Sequence, residues 1–493
     1  MKSLILRRIQ TIVFTGLIAA GMNAQEYVME DLHVSDSTGY NYKQPSISAN
    51  LNGDIAIAWE NVGGNGLWMK TYSIEQGILS EVMRITAPYN HDRTWITHNE
   101  TGQFMIMYSG YGSMGWDLFA QLYDPDGIAM GDTFNISGDY DGNIEWMNSS
   151  LGLNAGNDYV IMYPSLDSVI TERVSETGES VGEPVSLKPD MSGIWGLKGV
   201  SSRSGGFVIS WTSLGDGNIF ARQFDENGEP AGPSVQVTEL EPGHSANNYL
   251  LKCDTTGNFV LVWEETYEGN KALYSQLFSS SGDKIGNRET VMDQSGVYSG
   301  HMSVGMDLDG DYAVAWTDGR RGDTTFIYIQ QMSKSGLPVG GNYKATSVND
   351  FAAMEGFLTT QRGSAIQVLN DTIYLVWENV DPTSNYTSEI YAGILKWKLP
   401  DATNISSANV QGGISIYPNP SSGLLTVHIG KEPTTSLQYM LYNSAGIIVK
   451  QDIVPAGISK LHLDLTQEPA GLYFLRLSGP HTEYAAPLIL LDD

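Results

Sequence analysis

The sequence predicts an all-β protein, and three observations carry that prediction. Beyond residue 24, no long stretch shows the 3.6-residue apolar period of an amphipathic helix. Glycine is abundant, at 54 of 493 residues, and it separates short alternating or apolar runs of the kind that form strands. A unit averaging 53 residues recurs seven times between residues 44 and 397, which marks a repeat architecture.

The first 24 residues read as a signal peptide. Lys2, Arg7 and Arg8 make a basic start, Ile9 to Ala20 a mostly apolar core, and Ala24 a small residue before the expected cleavage. That core is too short to cross a bilayer, and no later run reaches the ~18 apolar residues a span needs. No transmembrane segment is expected in the mature chain. Export through the Sec translocon follows from the signal.

Each repeat has a turn, then a strand ending in a large aromatic. These are GDIAIAWE to Trp59, GQFMIMYS to Tyr108, NDYVIMYP to Tyr163, GGFVISWT to Trp211, GNFVLVWE to Trp263, GDYAVAWT to Trp316 and DTIYLVWE to Trp377. The spacings are 49, 55, 48, 52, 53 and 61 residues. A second strand follows and ends in paired glycines: Gly127/Gly131, Gly178/Gly182, Gly228/Gly232, Gly282/Gly286 and Gly336/Gly340. Glycine suits these positions because such turns need positive φ. Each unit therefore reads as four antiparallel strands, A to D. In the first unit A lies near Ser46–Asn50, B at Asp54–Glu60, C at Leu67–Ser73 and D at Glu81–Thr86.

Four short strands repeated about every 50 residues predict a β-propeller, here with seven four-stranded blades over residues 25–398. The seventh unit lacks strand D. The segment EDLHVSD, Glu30–Asp36, resembles the D segments DTFNISGD and PSVQVTEL, so residues 25–37 are expected to close blade seven. The units resemble the repeats of a loose group of secreted bacterial propellers. Blade six, with Trp316-Thr317-Asp318-Gly319-Arg320 and then IYIQQ, is nearest to their pattern; blades three and seven lack the Gln-containing C strand. That resemblance implies architecture, not one activity.

Residues 399–412 are small and polar, as linkers are. After them comes ISIYPNPSSG, in which Tyr417, Pro418, Asn419, Pro420 and Gly423 resemble the opening motif of the type A C-terminal sorting domain of type IX secretion cargo. LLTVHIG, MLYNSAGIIV with Gly446, LHLDL, and PAGLYFLRL with Gly471 follow in the family's order. Asn443 stands where the family has Asp, and the chain ends LILLDD rather than in a basic strand. The resemblance implies a small Ig-like β-sandwich at 413–493, recognition by the type IX machinery, and delivery through the periplasm to the outer-membrane surface or the exterior.

Charge and motifs exclude several functions. The chain carries 56 acidic and 27 basic residues, and loss of Lys2, Arg7 and Arg8 takes the net charge from −29 to −32. Phosphate polymers would be repelled, so no nucleic-acid partner is expected. Cys253 is the single cysteine, which rules out an intrachain disulfide. No HExxH, CxxC, GxSxG or Walker motif occurs. Sialidase Asp-boxes place an aromatic about three residues after the turn glycine; here Gly257 and Trp263 stand six apart. Asp307, Asp309 and Asp311 alternate around Gly310, a pattern that suits either weak Ca²⁺ binding or a hairpin turn. No Glu completes a calcium loop, which favours the turn, and no other cofactor is expected.

Strand alternation puts the tight A–B and C–D glycine turns on one face of the ring. The longer B–C and D–A loops lie on the other. The D–A loops enter strand A, which lines the central channel, and deliver Tyr89, His91, Arg93, Trp146, Trp195, His244, Tyr298 and His301. Aromatic faces beside hydrogen-bonding groups suit sugar or peptide binding, although rings that merely plug the mouth would look the same. Three functions fit: a non-catalytic module for an extracellular glycan or protein; a polysaccharide hydrolase or lyase using Asp92, Glu145 or Glu355; or an adhesive surface protein.

Overall fold

The computed structural model describes residues 27–35, 42–61, 66–73, 77–78, 80–85, 90–111, 116–137, 148–294, 298–320, 325–345, 361–381, 387–397, 414–417, 421, 423–429, 433–443, 448–466, 468–469, 471–479 and 482–490. The segments read as signal peptide (1–24) and linker (399–412) lie outside them.

Seven antiparallel sheets follow one another along the chain, each in the strand order A-B-C-D. The A strands are Tyr42–Ala49, Asn90–His98, Ser150–Leu153, Ile194–Ser201, Ser245–Cys253, Tyr298–Met306 and Gln361–Leu369. Each A strand packs against the next, and the seventh packs against the first, so the sheets form a seven-bladed propeller around a central channel. In the first blade strand D is split into Gly77–Ile78 and Met83–Ile85, both paired with Gly66–Ser73.

The repeated aromatics explain why the blades associate. Trp59, Trp211, Trp263, Trp316 and Trp377 are completely buried, as are Tyr108 and Tyr163 at the same position. Each apolar cluster joins two neighbouring blades: Trp263 packs with Val208 and Ile219 of the blade before it, and Trp316 with Val260 and Leu273. Burying one such ring contributes roughly 1.5–3 kcal/mol.

The turns follow from short polar side chains. Asn50 Oδ1 accepts from the amides of Asn52 (2.9 Å) and Asp54 (3.0 Å), and Asp254 Oδ1 accepts from Thr256 and Asn258 in the same way. These Asx turns recur where strand A passes into strand B.

Tyr27–His33 pairs antiparallel with Thr387–Lys396 and supplies the fourth strand of the seventh sheet. The pairing starts three residues earlier than EDLHVSD suggests. Val34 and Ser35 extend it: Val34 N donates to Ile390 O at 2.9 Å, and Ile390 N to Ser35 Oγ at 3.0 Å. Val34 is buried with Trp59 and Ile390 where the first and seventh blades meet.

The first A strand also starts earlier, at Tyr42 instead of Ser46, because its ladder with Ile55–Asn61 resumes beyond a bulge between Lys43 and Ser46. Bulges recur near the mouth end of strand A in five further blades.

Residues 414–490 form two sheets. Ile414–Tyr417, Leu424–Ile429 and Lys460–Asp464 make one; Ile448–Val454, Leu437–Asn443, Gly471–Gly479 and Thr482–Leu490 make the other. Val427, Ile429, Leu441, Leu475 and Leu488 are buried between them, as in an Ig-like sandwich.

Candidate functional site

The bulges shape the channel mouth. An extra residue there cannot join the ladder and turns left-handed: Gln44 (φ 50), Arg93 (φ 44), Asn248 (φ 42) and His301 (φ 49). For non-glycine residues this conformation costs roughly 1–2 kcal/mol, which the flanking ladder must hold in place. Arg93 and His301 are exposed at this level, one from blade two and one from blade six. Both line a cavity of about 380 Å³, with Lys43, Gln44 and Pro45 of blade one, Thr94 and Trp95 of blade two, Met302 of blade six, and Ser364 and Glu378 of blade seven.

Glu378 is the buried carboxylate of this cavity, only 3% exposed. Its Oε1 accepts from the Gln44 amide at 2.8 Å, joining the seventh blade to the bulge of the first. The cavity therefore combines a guanidinium, an ammonium, an imidazole, a carboxylate and an indole. It can hold a polar ligand by hydrogen bonds and stack one ring.

The residues expected at the mouth divide into three groups. Arg93 and His301 share the cavity. Trp195 and His244 belong to blades four and five and are not among its lining residues. Trp195 is 48% exposed on strand A of blade four. His244 Nδ1 lies 2.7 Å from Glu265 Oε1, and its ring stacks on Tyr267 with centroids 4.4 Å apart. The side chains of Tyr89, His91, Trp146 and Tyr298 fall outside the described residues, as do those of Asp92, Glu145 and Glu355. Lys43, Gln44, Trp95 and Glu378 were missed. Glu378 follows Trp377 as Glu60 and Glu264 follow Trp59 and Trp263, and that Trp-Glu recurrence was the available signal.

The Asp307–Asp311 turn uses its carboxylates locally. Asp307 Oδ1 accepts from the Leu308 amide at 2.7 Å, Asp309 pairs with Lys334 Nζ at 3.1 Å, and Asp311 Oδ1 accepts from the Lys334 amide at 2.6 Å. Among the described residues no group of three or more His, Cys, Asp or Glu side chains is arranged to hold a metal ion. Cys253 Sγ donates to Ser201 O at 3.0 Å, and burial pushes its thiol up to about 12, so it is not a thiolate nucleophile at neutral pH.

In the C-terminal sandwich, Gly423 has φ +116, and a Cβ there would sit 2.7 Å from Thr466 Cα, so only glycine fits. Its carbonyl accepts from Leu465 N at 2.7 Å. Gly471, at φ +156, opens the strand that pairs with Thr482–Leu490. Tyr417 ends the first strand; Pro418, Asn419, Pro420 and Gly446 lie outside the described residues. Residues 415–490 match the family model described as secretion system C-terminal sorting domain.

The chain is type IX secretion cargo. Its sorting tail points to secretion to the cell surface or the extracellular space. No curated protein matches the cargo chain. Among solved structures it is similar to polysaccharide lyase Uly1, with TM-score 0.47 and 11% identity over 77% of this chain and 94% of that one. It is similar to the GH93 α-L-arabinofuranosidase of Fusarium graminearum, with TM-score 0.41 and 9% identity over 74% and 97%. The Dos1 propeller gives TM-score 0.40 and 11% identity over 89% and 95%. The cargo protein's seven-bladed assignment rests on its own strand order. No helix among the described residues is long and apolar enough to cross a membrane.

Proposed function

We propose that the cargo protein is a non-catalytic binding module for an extracellular glycan, which it engages at the channel mouth. One observation carries this reading: Arg93 and His301, from blades two and six, meet in one cavity with the Trp95 ring and the Glu378 carboxylate. Charged donors and an acceptor beside an aromatic ring suit sugar hydroxyls and the apolar face of a pyranose. Delivery to the exterior by the sorting tail gives such a site access to polysaccharide. The Sec route through the periplasm is part of the same proposal.

A polysaccharide hydrolase or lyase is the second reading. It is favoured by the buried Glu378 in the same cavity as His301 and Arg93, groups able to move a proton and hold an anion. A polysaccharide array probed with the secreted chain, with reducing ends and unsaturated products measured in parallel, tests both. Saturable binding without products supports the module; products support the enzyme; a protein ligand captured with no glycan bound overturns the glycan reading.

A further inference from the structure

Blade five carries a histidine that its packing does not require. His244 ends a tight turn: Pro242 and Gly243 (φ +87) occupy the centre, and the His244 amide donates to Glu241 O at 3.0 Å, as in a type II turn. From there strand A, Ser245–Cys253, pairs with strand B, Phe259–Tyr267, beginning with Ser245 opposite Thr266. Turn and ladder thus bring His244 beside Tyr267, and the two rings stack with centroids 4.4 Å apart and planes 23° from parallel.

The imidazole is held from one side. Its Nδ1 lies 2.7 Å from Glu265 Oε1. The other carboxylate oxygen, Oε2, accepts from Arg288 Nη1 at 3.2 Å and from Trp263 Nε1 at 3.3 Å. A carboxylate only accepts hydrogen bonds, so Nδ1 carries the proton and Nε2 of the neutral ring keeps its lone pair. Among the described residues no group bonds to Nε2. Imidazole and guanidinium, on the two oxygens of one carboxylate, stand side by side. Their side chains are 24% and 44% exposed, while that of Glu265 is 4% exposed. Blade six holds Trp316 and Arg320 on Asp318 without a histidine, so pinning the blade does not account for His244.

We propose that His244 and Glu265 form an acid–base dyad that hydrolyses an acyl ester borne by an extracellular ligand. Nε2 takes a proton from a water molecule as the water oxygen bonds to the acyl carbon. The ester C–O bond then breaks, and the proton passes from Nε2 to the departing alkoxide oxygen, giving a carboxylic acid and an alcohol. Glu265 touches no reacting atom. It is a positioning residue that fixes the tautomer and stabilises the imidazolium formed midway. Arg288 supplies positive charge beside the imidazole, where the carbonyl oxygen becomes negative.

An ester fits this centre better than a glycosidic bond. Glycoside hydrolysis uses two available carboxylates, whereas Glu265 is buried and already shared by three donors. The Tyr267 ring, 44% exposed, offers an apolar contact for the acyl group. The dyad goes beyond the binding role proposed for the mouth and does not depend on it, because neither residue lines that cavity.

Hydrolysis of 4-nitrophenyl acetate by the secreted chain, with acetate release from O-acetylated xylan measured in parallel, tests this. Saturable release of nitrophenolate is expected. His244→Gln should lower kcat/KM at least about a hundredfold, the usual scale of a lost general base. Glu265→Gln should lower kcat with KM unchanged and shift the His244 ring nitrogens in ¹⁵N NMR away from the Nδ1–H tautomer. Acetate released from xylan as well assigns the ester to a polysaccharide; turnover of the nitrophenyl ester alone assigns it to a small acyl ester. Absence of saturable release, an undiminished rate in His244→Gln, or a Glu265→Gln variant with unaltered kcat overturns the proposal. Should Glu265→Gln fail to fold, the half-buried His244→Gln decides alone.

Discussion

The indole nitrogen of Trp316 donates to Asp318 Oδ2 at 2.9 Å, two residues along the same strand. Asp318 is 1% exposed and also receives Arg320, whose Nε and Nη2 each lie 2.9 Å from a carboxylate oxygen. Arg320 in turn lies over the Tyr328 ring at 4.1 Å and pairs with Asp293 at 2.9 Å. Blade five repeats the device more loosely, with Trp263 Nε1 at 3.3 Å from Glu265. Blade six is thus pinned by one buried carboxylate.

Asp318→Ala removes that carboxylate and leaves a buried indole and a guanidinium without it. The expected loss is about 3–5 kcal/mol, the usual effect of breaking a buried pair from one side. Urea unfolding of the two proteins checks it. A change below about 0.5 kcal/mol, the scale of an ordinary surface substitution, would contradict the pinning role.

Much of this fold is legible in the sequence because its determinants are local. The aromatic at the end of strand B, the Asp, Asn or Ser residue opening most of the turns and the paired glycines all lie within one repeat, and each names its own strand or turn. The bulges are different. Arg93 and His301 adopt left-handed φ without being glycine, so nothing in their identity marks them. The cavity they share lies toward blades one, two, six and seven, and it forms only when the ring closes. Trp195 and His244 look equivalent to Arg93 and His301 along the chain, but they sit on blades on the other side of that ring.

Ring closure depends on a strand from the far end of the chain. Removing residues 27–35 would expose the outer edge of Thr387–Lys396 and uncover the core around Val34. The expected result is a lower melting midpoint and aggregation through the open edge. A truncated chain that melts with the intact one would show that this strand contributes nothing to the ring.

Acid should destabilise the propeller through His98. Burial lowers its pKa to about 4, against a smaller opposing effect of Asp54, and its Nδ1 lies 3.0 Å from Ser48 Oγ. The folded state therefore holds His98 neutral where the unfolded chain binds a proton. The resulting stability is full above the unfolded value near 6.5 and is lost as pH falls toward 4, by roughly 3 kcal/mol in total. Unfolding free energies measured from pH 7 to pH 4 should show this slope, and His98→Gln should flatten it. An unchanged slope in that variant would assign the acid sensitivity elsewhere.

Gly423→Ala should impair export. The added methyl would press on the Thr466 backbone at a φ that side chains avoid. In the native host the variant cargo should accumulate in the periplasm, as should a chain lacking residues 413–493. Undiminished appearance of either protein outside the cell, by fractionation and immunoblot, would contradict the role assigned to the tail.

The most direct test of the channel-mouth reading is a paired measurement on one variant, Arg93→Gly/His301→Gly, using a glycan that binds the unaltered protein. Glycine tolerates the left-handed backbone at both positions, so the double change removes two side chains while keeping the bulges. The account predicts an affinity at least about tenfold weaker, which corresponds to roughly 1.4 kcal/mol, with the melting midpoint nearly unchanged. Unaltered affinity for that glycan would contradict it.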